Sequence, residues 1–230
     1  MVDAHFLRDV DFLREHIDFT NISPYATEKE IVNFCHKAVD YGVKTVYLPP
    51  IFLHTASHDF RACFEIGTTA GFPYGNVPFA VKEKGIDYAW KNGAKWIDVV
   101  ADISLIKSNN WFAVEKEIQA LVECVERKMN LSLKLIIETP YLSDEEIKYV
   151  VEIADSNDVY CIKTATGVGN KVKLKHVELI KPLLKRSKLK VAGGITTLED
   201  TLTFFNRGAD IIGSSKGFEI LEEFISKHPD

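Results

Sequence analysis

Two lysines and an aspartate stand inside runs that are otherwise apolar, and these three side chains can share one chemistry. Lys163 lies in VYCIKTATGVG, near the end of an apolar run, a setting lysine rarely occupies without a purpose. Taken out of water, its pKa falls and its free amine can form a Schiff base with a carbonyl. The plainer alternative is a strand-end lysine whose amine reaches solvent. Lys190 precedes a Gly-Gly turn in LKVAGGITT. A second ammonium group beside Lys163 disfavours double charging, so one of the two pKa values drops. Alone, after Lys185, Arg186 and Lys188, it reads equally as a solvated strand-start residue. Asp98 interrupts WIDVVADI, and a buried carboxylate needs a partner. With the lysines it can relay protons; without catalysis it forms a structural ion pair.

Other positions cluster at the ends of the same kind of run. Lys134 in LKLIIET shares a face with Ile136 and Glu138 and is expected to point inward at a deeper level. Asp18 and Thr20 close IDFT, where Asp18 reads either as a site residue or as a turn cap. Three turns, Thr166–Gly169, Gly193–Thr197 and Gly213–Gly217, are rich in glycine or hydroxyls. Gly167, Gly193, Gly194 and Gly213 let backbone N–H groups approach an anion, and Ser214, Ser215 and Lys216 add hydroxyls and a charge. His54 and His58 are four apart, as helical metal ligands are, but no third ligand is near and no metal is expected. Cys35, Cys63, Cys124 and Cys161 lack CxxC spacing and read as buried free thiols.

Positioning these residues requires strands that alternate with helices. Strands are expected over His16–Thr20, Thr45–Pro50, Phe64–Gly71, Trp96–Ala101, Leu133–Thr139, Val159–Thr164, Leu189–Gly193 and Asp210–Gly213. Helical periodicity fills Thr27–Tyr41, Pro78–Asn92, Asn110–Lys128, Ser143–Ala154 and Leu198–Asn206. Thr27 with Glu30, and Ser143 with Glu146, have capping-box spacing. Eight such units in 230 residues predict one (β/α)8 barrel domain spanning residues 1–230 with an N-terminal helix. An open doubly wound sheet is the alternative, but no GxGxxG follows the first strand. Chemistry in such a barrel sits where strands end, and the loops after strands seven and eight often bind phosphate.

Composition narrows the function. With 46% hydrophobic residues and a net charge of −5, the chain is not disordered and lacks the basic surplus of a nucleic-acid binder. No apolar run is long enough to span a membrane. MVDAHFLRDVDFLREH mixes charged and apolar residues and reads as a first helix rather than a signal peptide, so a cytoplasmic location is expected. Phe204 and Phe205 on an outer helix suggest either an interface or helix–sheet packing. A homo-oligomer, dimer or tetramer, is expected.

Taken in order, IDFTNI, GFPYGN, GAKWIDVV, LKLIIET, IKTATG, LKVAGGITT and IGSS resemble the deoxyribose-phosphate aldolase family from about Asp18 to Ser215. The pieces around Lys163 and Lys190 are the most specific. The resemblance implies a class I aldolase, without metal or organic cofactor, that cleaves 2-deoxy-D-ribose 5-phosphate to D-glyceraldehyde 3-phosphate and acetaldehyde. It implies that Lys163 is the Schiff-base lysine, Lys190 the lysine that depresses its pKa, and Asp98 the relay carboxylate. Asp18, Thr20 and Lys134 match further active-site positions. Tyr47, Thr164, Thr166 and the glycine and serine turns join them in an expected substrate site for a phosphosugar and aldehydes. Three departures stand out. Thr196 replaces a common arginine, Gly-Ser-Ser-Lys replaces Gly-Ala-Ser-Ser, and Tyr47 replaces a smaller cysteine near the small-aldehyde pocket. Lys216 is expected to restore the lost charge. Two alternatives follow: a Schiff-base aldolase of the same barrel acting on another aldehyde pair, phosphorylated or unphosphorylated, and a binding barrel that has lost catalysis.

Overall fold

Parallel strands need a long return connection, and each apolar run here is followed by a segment that supplies one. The computed structural model describes residues 9–228. Its strands are β1 (Ile17–Thr20), β2 (Thr45–Tyr47), β3 (Glu65–Ala70), β4 (Trp96–Val100), β5 (Ser132–Ile136), β6 (Cys161–Lys163), β7 (Lys188–Ala192) and β8 (Ile211–Ser214). They pair in parallel in chain order, and β8 closes on β1. The result is the expected (β/α)8 barrel. Around it run α1 (Val10–His16), α2 (Glu28–Asp40), α3 (Leu53–Phe60), α4 (Phe79–Lys91), α5 (Ile103–Lys107), α6 (Trp111–Glu126), α7 (Asp144–Ser156), α8 (Leu174–Ile180), α9 (Leu198–Asn206) and α10 (Gly217–Lys227). Of the expected N-terminal helix, Val10–His16 forms α1; residues 1–8 lie outside the described residues.

Local signals account for the helix ends. Thr27 and Glu30 form a capping box on α2, as Ser143 and Glu146 do on α7. Several strands are shorter than their apolar runs. β2 ends at Tyr47, short of Pro49 and Pro50, which cannot donate to a ladder. β5 ends at Ile136, and two residues later Glu138 turns to a left-handed φ of 53°.

Alternation then sorts the strand side chains. Phe19, Val46, Ile97, Leu135, Ile162 and Val191 join the apolar layer between barrel and helices. Their neighbours Asp18, Tyr47, Asp98, Lys134, Lys163 and Lys190 meet one another inside the barrel. Register sets their levels, with Lys163 opposite Lys190 and Asp98 opposite Lys134.

Three expectations are sharpened or corrected. Phe204 and Phe205 are buried, so they pack α9 inward and present no interface. Phe205 meets Phe12 edge-on at 5.0 Å between ring centres. Cys63 is exposed while the other three cysteines are buried, because it follows α3 in a surface turn. His54 and His58 lie exposed on α3, where His58 pairs with Asp59; among the described residues no group of three His, Cys, Asp or Glu gathers as a metal site. Among the described residues no helix is long and apolar enough to cross a membrane. Phe205→Ala is expected to cost about 3–5 kcal/mol by emptying a fully buried site, read as a lower urea midpoint at unchanged slope.

Candidate active site

Five ionisable side chains, lysines alternating with aspartates, run through the barrel. Lys134 Nζ lies 2.6 Å from Asp18 Oδ2, and Lys190 Nζ reaches the same oxygen at 2.6 Å. Lys190 also donates to Asp98 Oδ2 at 2.9 Å, and Lys163 donates to that oxygen at 2.8 Å. All five residues are buried. Asp18 and Lys134 also border a cavity of about 220 Å³ at the strand starts, so they occupy the lower level while Lys163 ends β6 at the opposite rim.

The partners are unequal, and the pKa values follow. Burial is the largest influence on Lys163 and lowers its pKa; Lys190 adds to the fall, and Asp98 only partly opposes it. Burial acts on Lys190 too, but Asp18 and Asp98 together outweigh it and raise its pKa. Burial works against the charge of Asp98, yet Lys163, Lys190 and Lys134 hold its carboxyl well below the ordinary range. Asp18 is likewise lowered, by Lys134 and Lys190 against burial. The arrangement favours the charged forms of both carboxylates and of Lys190, and of Lys163 and Lys190 it leaves Lys163 as the amine that gives up its proton more readily.

Tyr47 fills the middle of this set. Its hydroxyl donates to Asp98 Oδ1 at 2.7 Å. Its ring lies 3.7 Å from Lys190 Nζ and 5.1 Å from Lys134 Nζ, close enough for cation–π attraction. Burial and the charges of Asp98 and Asp18 push its pKa well up, so it stays a neutral donor. Glycines make the room. A Cβ on Gly67, the register partner of Tyr47, would stand 2.4 Å from Tyr47 Cζ. A Cβ on Gly213 would stand 2.9 Å from Lys190 Cε.

The remaining expected residues divide by what already engages them. Thr164 is buried, with its hydroxyl donating to Ala192 O and accepting from Ala192 N, so it ties β6 to β7. Thr20 donates to the Asp18 carbonyl. Ser214 donates to Ile195 O and accepts from Lys216 N, which joins the turns after β7 and β8. Ser215 and Thr196 are exposed at these turns. Gly167, Gly193 and Gly194 all take positive φ, and a Cβ on Gly167 would lie 3.6 Å from Gly193 Cα, so the turns after β6 and β7 touch. Lys216 Nζ is paired with Glu219 at 2.8 Å, which partly cancels the charge expected of it.

Two buried groups went unread. Glu138 accepts from Thr166 N–H at 2.7 Å through Oε2, its Oε1 is buried without a partner, and burial raises its pKa. The signal was its place next to a Thr-Pro turn after a strand. Lys82 on α4 is fully buried against Glu117 and donates to Val100 O. Glu117 also accepts from Asp102 N, so this pair braces the loop after β4.

No family model matches the chain. A curated deoxyribose-phosphate aldolase of Desulfitobacterium hafniense is 36% identical over 208 residues, covering 89% of this chain and 95% of the relative. Among solved structures, an aldolase described as QR15 is 34% identical with a TM-score of 0.88, covering 99% of this chain and 98% of its own. The deoxyribose phosphate aldolase from Aeropyrum pernix, described as having a unique tetrameric structure, is 28% identical with a TM-score of 0.87, covering 98% of this chain and 99% of its own.

Gly67→Ala is expected to destabilise the protein by about 1–3 kcal/mol through overpacking against Tyr47. In a Tyr47→Ala background the same change is expected to be nearly neutral. A denaturation double-mutant cycle with no coupling between the two positions would remove Tyr47 from the role assigned to it.

Proposed function

The chain belongs to the deoxyribose-phosphate aldolase family, a family of carbon–carbon lyases, and from that premise we propose that it reversibly cleaves 2-deoxy-D-ribose 5-phosphate through a Schiff base on Lys163. The observation that carries this reading is the buried Lys163 amine at the end of β6, its pKa lowered by burial and by Lys190, with Asp98 2.8 Å away.

In the cleavage direction the neutral Lys163 amine adds to the C1 aldehyde of the open-chain sugar. The carbinolamine loses water and becomes an iminium. A base takes the proton of the C3 hydroxyl through a water held by Asp98 and Lys190. The C2–C3 bond then breaks, its electron pair passing into the iminium, and D-glyceraldehyde 3-phosphate leaves. The resulting enamine takes a proton at C2, and water releases acetaldehyde and the free amine. Lys190 stays charged and holds Asp98 in place throughout. Proton transfers of this kind contribute roughly 10² to 10⁴ in rate.

The phosphate end is assigned to the turns carrying Thr166, Gly167, Gly193, Gly194, Gly213 and Ser215, where backbone N–H groups other than that of Thr166, which Glu138 holds, suit an oxyanion. A second reading rests on Lys216, whose pairing with Glu219 supports an aldolase for an unphosphorylated aldehyde pair. A substrate panel with and without the phosphate separates the two. The Aeropyrum pernix relative is described as tetrameric, which supports a homo-oligomer here. The unpaired cysteines suit a reducing, cytoplasmic compartment.

Borohydride reduction with deoxyribose 5-phosphate is expected to leave a sugar or acetaldehyde adduct on Lys163, read by peptide mass spectrometry. Lys163→Leu is expected to lose both adduct and turnover; retained turnover overturns the assignment. Lys190→Leu removes a nearby positive charge and one competitor for Asp98. Both changes raise the Lys163 pKa, so the rising limb of kcat/KM should move to higher pH. An unmoved limb would separate Lys190 from the tuning of Lys163.

A further inference from the structure

Beside the mouth, a cavity of about 380 Å³ opens between the loops that follow β5 and β6. Thr139, Asn170, Lys171, Lys173, Lys175 and His176 line it. In a chain of net charge −5, three lysines around one small cavity are a local reversal of sign. Asp144 at the start of α7 pairs with Lys175 at 3.1 Å. Lys171 and Lys173 make no ion pair among the described residues, so two cations there lack a counter-ion.

His176 supplies the second observation. It is only 4% exposed. Its Nδ1 lies 2.9 Å from Thr139 Oγ1 and 3.4 Å from the backbone nitrogen of Lys173. A backbone N–H can only donate, so Nδ1 accepts, and the proton of the neutral ring sits on Nε2. That Nε2–H has no hydrogen-bond partner among the described residues. Burial, then Lys175 and Lys173, lower the pKa of this ring, while Asp144 opposes them. A 4%-exposed ring with an unpartnered N–H donor and two ammonium groups without a counter-ion among the described residues therefore line the same cavity.

We propose that this cavity is an oxyanion site for a phosphate group, held by His176 Nε2–H, Lys171 and Lys173. It is distinct from the glycine turns of the mouth but adjoins them through Lys171. The stem of Lys171 crosses Gly194, where a Cβ would stand 2.6 Å from Lys171 Cγ. A phosphate bound here would fix the loop whose other end begins the mouth at Thr166.

The test is a titration of the full-length protein, labelled at histidine, with inorganic phosphate, against chloride at matched ionic strength. The His176 ring resonances are expected to shift saturably with phosphate and not with chloride. Lys173→Ala, an exposed change outside the mouth, is expected to weaken that binding about tenfold or more, as losing a charged hydrogen bond does. No saturable shift, an equal response to chloride, or an unchanged affinity in Lys173→Ala overturns the proposal. The source of the phosphate follows from kinetics. A raised KM for deoxyribose 5-phosphate at unchanged kcat in Lys173→Ala assigns the site to the substrate's own phosphate. An unchanged KM, with phosphate still binding the wild type, assigns it to a separate phosphate ligand. The ring readout needs no turnover, so its failure is distinct from failure of the proposed reaction.

Discussion

Charge balance inside the barrel is the constraint on which the site depends. Three ammonium groups, Lys134, Lys163 and Lys190, share two carboxylates, Asp18 and Asp98. Fully ionised, the set carries one excess positive charge in a place where burying charge is costly. Releasing one proton balances it at two against two. Lys190 touches both carboxylates, and Lys134 has Asp18 together with the rings of Tyr47 and Trp96. Lys163 has only Asp98, which it shares, and lies farthest of the three from the Tyr47 ring, at 6.0 Å. Of Lys163 and Lys190, Lys163 is therefore the one whose proton is held less tightly.

The surplus must be held in a fixed geometry, and the barrel does this by spacing large against small. Tyr47 fits because its register partner is Gly67, and Lys190 reaches Asp98 and Asp18 beside Gly213 because no Cβ is there. Tyr47 does not simply narrow the site. Its hydroxyl takes one oxygen of Asp98, which leaves the other oxygen to be shared by Lys163 and Lys190. Removing one member of such a buried set leaves an unpaired charge, which typically costs about 3–5 kcal/mol. The contacts that set the Lys163 pKa are thus also contacts that hold the barrel interior together.

The sequence made the architecture legible where its signals were local and repeated. Eight apolar runs separated by helical patterns became eight strands in the expected order, and both capping boxes formed. Lys163, Lys190 and Asp98 could be picked out because a charge inside an apolar strand is costly without a partner. Strand ends were less legible, since hydrophobicity and single inter-strand bonds from Leu48 and Ile137 continue past Tyr47 and Ile136, where the strands end. α8 was missed because Lys173 precedes it and gives no side-chain cap. Phe204 and Phe205 were ambiguous because two adjacent aromatics on a helix do not reveal which way they point. Lys82 escaped notice because its helix reads as a solvated amphipathic segment, and only the three-dimensional position of Glu117 explains its burial.

Glu138 and Thr139 show how a residue far from the reacting atoms can shape the mouth. They are adjacent, just beyond β5, and Glu138 sits in a left-handed conformation that a side-chain-bearing residue adopts only at a cost. Glu138 holds the start of the loop after β6 through Thr166 N–H, and Thr139 holds its end through His176. The strained turn is what lets the two side chains reach opposite ends of one loop. The loop carries Gly167 and Gly169, and these two anchors tie it from outside at either end. Glu138 meets Thr166 N–H with one oxygen and keeps the other buried without a partner, so the strained turn carries an unmet acceptor beside the loop it holds.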